Sequence, residues 1–131
     1  MRELCLRLEN GADIKRSIEQ LCIENGVDTA VVLSGVGCVK EINIRLAKAV
    51  GFYLRQEDYE IVSLNGTVSK GKAHIHIALA DEQGRVIGGH LCDGCIVNTT
   101  CELVLGVLEE YSSKRIYDGA TAYDEIVFRR K

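Results

Sequence analysis

His74, His76 and His90 are the only histidines in a chain of 131 residues, and all three fall in one stretch, HIHIALADEQGRVIGGHL, residues 74–91. Neutral imidazole ligates zinc, copper, iron and nickel, and three histidines with one open position form a known catalytic zinc arrangement. That chemistry needs short side chains held on one rigid face. The spacing of these residues predicts such a face.

In KAHIHIALA (72–80), Ile75, Ile77 and Leu79 alternate with His74, His76 and Ala78. Period-two alternation predicts a β-strand with one apolar face, so His74 and His76 share the other. RVIGGHL follows after DEQG, and two apolar runs around a short Gly-containing loop predict a hairpin. A three-residue loop, Glu82 to Gly84, suits a type I turn closed by a left-handed glycine. In that register Asp81 faces Arg85, Ala78 faces Gly88, His76 faces His90 and His74 faces Cys92. Directly opposed residues share a face with Cβ atoms about 4.5–5.5 Å apart, so the three imidazoles cluster. A four-residue loop would send His90 to the other face. A bulge at Gly88-Gly89 would re-aim it.

Cys92 and Cys95 form C-D-G-C, a spacing shared by redox pairs and half zinc sites. No thioredoxin-like unit surrounds it, and Asp93-Gly94 suits a turn between strands. Cys92 is also close enough in sequence to offer a thiolate near the histidines. The remaining cysteines, 5, 22, 38 and 101, are scattered, and most of the six suit small buried hydrophobes better than a disulfide framework.

The chain as a whole must position these groups. Its length suits one domain, residues 1–131, with a real core. Its 47% hydrophobic and 27% charged residues are those of an ordinary globular protein. No apolar run approaches the roughly 18 residues of a membrane span. The opening MRELCLRLENG lacks the apolar core of a signal peptide, so a cytoplasmic, non-membrane protein is expected. A net charge of −3 disfavours non-specific nucleic-acid binding. With 13 glycines and no proline, turns must rely on Gly, Asn and Asp.

Glu3–Leu8 alternates as a strand. Ile14, Ile18, Leu21 and Cys22 then form one helical stripe within residues 12–25, with Gly26 as the C-terminal stop. Strands are expected over 30–34, 39–47, 59–69, 72–80 and on to Leu91, with Gly35 and Gly37 breaking the chain between the first two. Residues 95–108 open as strand and become ambiguous, and the tail holds a turn at Asp118-Gly119 before a last strand near 125–128. The fold class is α+β: a single, sheet-dominated domain with one clear N-terminal helix.

Four segments in this order, LSGVGCVKEINIR (33–45), YEIVSLNGTVS (59–69), HIHIALADEQGRVIGGHL (74–91) and GCIVNTTCELVL (94–105), resemble the plants-and-prokaryotes conserved (PPC) domain, stand-alone prokaryotic type. The resemblance spans nearly the whole chain. It implies a mixed, mostly antiparallel sheet and assembly as a homotrimer. In that family the H-x-H and G-G-H histidines are associated with a bound metal, often read as zinc, and His74, His76 and His90 match them. Plant members commonly lack these histidines, which implies that the fold does not need them. Plant members also carry AT-hooks with an Arg-Gly-Arg-Pro core. This chain has no proline, so the resemblance carries no nucleic-acid-binding residue and no direct DNA binding onto it. The histidine pattern is similar, more distantly, to that of acetolactate decarboxylase, where an arginine assists the metal. Arg45 is the corresponding candidate, by fold-level analogy.

Two functional classes follow. The first is a zinc site that binds a small molecule or performs metal-dependent chemistry. Glu60 or Glu102 would be a fourth ligand or proton carrier, and Ser34, Gly35 and Gly37 a backbone loop at the pocket. Ordinary alternatives exist: Glu60 at a strand edge, Glu102 paired with a cation, Arg45 solvated, and the glycines simply turning the chain. The second class is a trimeric regulatory or assembly module that acts through a partner protein.

Overall fold

Alternation becomes burial in Lys72–Ala80. Ile75, Ile77 and Leu79 are buried, while His74 and His76 on the opposite side are exposed. This segment is the fifth strand, β5, in a computed structural model that describes residues 1–131. The other strands are β1 (Arg2–Glu9), β2 (Thr29–Arg45), β3 (Phe52–Arg55), β4 (Tyr59–Ser69), β6 (Val86–Leu91), β7 (Ile96–Val107), β8 (Tyr111–Asp118) and β9 (Tyr123–Arg130). One α-helix, α1 (Ile14–Glu24), follows β1. No helix is long and apolar enough to cross a membrane.

The main sheet runs β1-β7-β2-β4-β5-β6, with β3 added beside β2; β8 and β9 form a separate two-stranded ribbon. Every ladder is antiparallel, in keeping with the mostly antiparallel sheet expected from the sequence. Beyond β5, β6 turns back and pairs with the end of β2 through Ile44–Leu91 and Arg45–His90. Strands β2, β4, β5 and β6 thereby close into a ring.

Helix α1 starts where Asp13 accepts a hydrogen bond from the Arg16 amide at 3.1 Å, as an N-cap should. It stops at Asn25, and Gly26 follows with φ of 62°. Its stripe, Ile14, Ile18 and Cys22, is fully buried, and the helix packs against β5. Glu19 ties the two together by accepting from the Ala73 amide at 3.0 Å. The core is one cluster of Ile, Leu and Val side chains from α1 and the main sheet. Each fully buried side chain of this size contributes about 1.5–3 kcal/mol. The sheet is therefore fixed from the apolar side of β5, which leaves the histidine side open for other work.

Three segments differ from what local pattern predicts. Gly35 and Gly37 do not end a strand; β2 is continuous over 17 residues, with register shifts against β7 between Val32 and Ser34, Gly37 and Cys38, and Val39 and Glu41. These glycines allow close approach: a Cβ at Gly35 would strike Leu64, and one at Gly37 would strike the Thr100 carbonyl. The short edge strand β3 carries no clear alternation. The tail is a full hairpin, β8–β9, paired from Tyr111–Arg130 to Asp118–Tyr123.

A candidate three-histidine metal centre

The β5–β6 loop closes as its glycine requires. Gly84 has φ of 78°, its amide donates to the Asp81 carbonyl at 2.9 Å, and the Asp81 amide donates to the Arg85 carbonyl at 2.9 Å. The Asp81 carboxylate accepts from the Arg85 amide at 2.9 Å and from its guanidinium at 3.0 Å. With three residues in the loop, His76 pairs with His90 and Ala78 with Gly88. All three imidazoles then stand together, with ring centroids 5.2, 5.2 and 5.7 Å apart. Each offers one nitrogen, and these nitrogens lie within 4.8 Å of one another. Two nitrogens sharing one zinc ion can be at most about 4.2 Å apart. The exposed rings of His74 and His76 have the rotational freedom to make that adjustment.

His90 is the inner member. It is half-buried, and its Nδ1 is buried without a hydrogen-bond partner. A buried imidazole nitrogen without a partner costs free energy. Burial, then the Arg45 guanidinium, then the other two rings push its pKa down to about 4. His74 is also held below the usual histidine value, first by burial and then by His76. Neutral imidazole is the ligating form, and an orphaned buried nitrogen is a vacant donor, so this residue set fits a divalent metal.

The other sequence candidates separate. Arg45 joins the cluster, because its backbone pairs with His90 and its side chain lines the same cavities. Glu60 is exposed and opposes Ala80, four residues beyond His76 on β5, about 13 Å along the strand. Glu102 lies on β7, between Arg7 of β1 and Val36 of β2. Strands β2 and β4 stand between it and β5. Neither carboxylate belongs to the group. Ser34, Gly35 and Gly37 lie within the β2–β7 ladder and line neither cavity.

Cys92 does not continue opposite His74. Its amide leaves β5 and donates to the Asn43 carbonyl of β2 at 3.2 Å, and no ladder pair joins it to His74. The Cys95 thiol is buried, donates to the Asn43 carbonyl at 3.3 Å, and is pushed up to about 11 by burial. A protonated, buried thiol is a poor nucleophile.

No pattern in the sequence signals a second wall to the site. Arg115 on β8 and Tyr123, Asp124 and Glu125 at the start of β9 line a cavity of about 370 Å³ together with His74 and His90. A neighbouring cavity of about 550 Å³ is lined by His76, Gly88, Gly89 and Lys48. Ser113 fixes the hairpin over the sheet. Its amide donates to the Asp28 carboxylate at 2.8 Å, and its hydroxyl bonds with those of Thr29 (2.7 Å) and Ser69 (2.8 Å). The Ser113 amide holds the Asp28 carboxyl below its usual value. Only a dispersed long-range network of this kind places Arg115 and Glu125 near the histidines. No alternation or spacing in the sequence encodes it.

The chain belongs to the Plants and Prokaryotes Conserved (PCC) domain family, whose model matches residues 1–109. Among solved structures it is similar to a hypothetical protein from Salmonella cholerae-suis, at 29% identity and a TM-score of 0.95 over 99% of this chain and 94% of that one. It is also similar to a metal-containing protein from Archaeoglobus fulgidus, at 30% identity and a TM-score of 0.79 over 97% of this chain and 94% of that one. A curated relative, the bifunctional protein GlmU of a Synechococcus strain (JA-3-3Ab), is 40% identical over 96% of this chain. The chain spans only 20% of that relative's length.

Proposed function

We propose that His74, His76 and His90 hold one divalent metal ion, zinc by choice of ligand, in a site that receives a small molecule. The observation that carries this reading is the buried, unpartnered Nδ1 of His90 beside two further imidazoles on one sheet face. The similarity to a protein described as metal-containing supports it. When bound, the metal would supply a Lewis acid with a coordination position left for water or ligand. The chain's own residues do the rest. Strand pairing between β5 and β6 fixes the spacing of the rings, Arg45 sets positive charge beside them, and the β8–β9 hairpin forms one wall of the site.

Elemental analysis of protein purified without a metal-affinity tag tests the reading. We expect about one zinc per chain after reconstitution. His76→Ala should lose most of it, while circular dichroism and melting stay close to the unsubstituted protein, because His76 is exposed and contributes nothing to the core. Unsubstituted protein that takes up less than a tenth of an equivalent would refute the site.

A second reading is a homotrimeric assembly module that acts through a partner protein. Exposed apolar side chains favour it, notably Val36 on β2, Val62 on β4 and Phe52 and Leu54 on β3. In that case loss of the histidines would leave assembly and partner binding intact.

A further inference from the structure

The β8–β9 hairpin lies beyond residues 1–109, where the family match ends, yet it builds one wall of the histidine cavity. Arg115 is its inward-facing cation. Nη1 donates to the Asp124 carbonyl at 3.2 Å, whereas Nη2 is buried and has no partner. Across the cavity stands Arg45, whose Cζ is 6.0 Å from the centroid of the Tyr123 ring. Neither guanidinium takes part in any of the ion pairs of the molecule. Glu125 shares the cavity wall but pairs with neither.

A guanidinium offers donors only. A buried donor without an acceptor is costly, and more so when it is charged. Arg115 presents one such nitrogen, and Arg45, which has no ion-pair partner, lines the same cavity, so together they call for an acceptor from outside the chain. Their planar forks match the paired oxygens of a carboxylate or phosphate. A metal on neutral imidazoles would add positive charge to the same space, with nothing in the ligand set to cancel it.

We propose that the hairpin makes the three-histidine site a receptor for a small oxyanion, a carboxylate or phosphate group held between Arg45 and Arg115. This rests on the metal reading of the same site and adds the ligand class to it. It also places the choice of ligand in the tail, outside the segment that defines the family.

Calorimetric titration of the zinc-loaded protein with succinate and, separately, with inorganic phosphate tests the proposal and tells the two oxyanions apart. At least one of them should bind. Arg115→Gln should weaken that binding by about tenfold or more, as expected for loss of a charged hydrogen-bond donor, while elemental analysis still finds one zinc per chain. If Arg115→Gln fails to fold, Arg45→Gln on the opposite wall should give the same loss. Absence of binding by the unsubstituted protein overturns the proposal, as does unchanged affinity in the folded arginine variant. Failure of the unsubstituted protein to hold zinc would sink the metal reading instead. The metal-free protein titrated with the same anions then tests the arginine pair alone, with the same expected dependence on Arg115.

Discussion

His90 shows how one residue carries both fit and sensitivity. Burial and Arg45 hold it neutral down to about pH 4, against an ordinary value of 6.5. Its folded value is the lower of the two, so on acidification the unfolded chain takes up the proton first. The stability linked to His90 is thus fully present above about pH 6.5 and is lost as the pH falls toward about 4. Thermal melts of the metal-free protein should be flat above pH 6.5 and decline through that window, and His90→Asn should flatten the decline. A melting temperature that stays constant from pH 7 to 4.5 would contradict this. Asp28 acts lower, because its carboxyl is held below an ordinary 3.8. At this scale much of the site was legible. Alternation gave the shared face of His74 and His76, and loop parity through Gly84 gave His90. Arg115 and Glu125 were not legible, because their place depends on Ser113 meeting Asp28, Thr29 and Ser69 across the chain.

Among the elements, β6 is the one on which the site depends. It is six residues long and is paired on both sides, to β5 and to the end of β2. Gly89 makes the second contact possible, since a Cβ there would lie 2.5 Å from the Arg45 carbonyl oxygen. Gly89→Ala should therefore push β6 from β2 and destabilise the protein by about 1–3 kcal/mol, the usual range for overpacking. Urea denaturation would measure it, and an unchanged midpoint would show that β2 and β6 need not approach so closely. The substitution should also lower metal content, because His90 is the next residue. The strict alternation of β5 made that strand legible to both its ends. The single long β2 was not, because Gly35 and Gly37 suggest breaks until their partners Leu64 and Thr100 are known.

For the whole molecule, exposed Val36, Val62, Phe52 and Leu54 bear on assembly. We propose a homotrimer that covers part of this surface. Light scattering at micromolar concentration should return three times the chain mass of 14.4 kDa, and a monomer mass would rule the assembly out. Within one chain, the return of β6 to β2 has a kinetic consequence. An open sheet frays from its last strand, and the amides there exchange with solvent fastest. Strands joined in a ring have no last strand, and β6 can leave only if its ladders to β5 and to β2 break together. Amide protons of residues 88–91 should therefore exchange as slowly as those in the middle of β5, despite the shortness of β6. Hydrogen–deuterium exchange would show this directly, and fast exchange there would mean that the ring opens at β6.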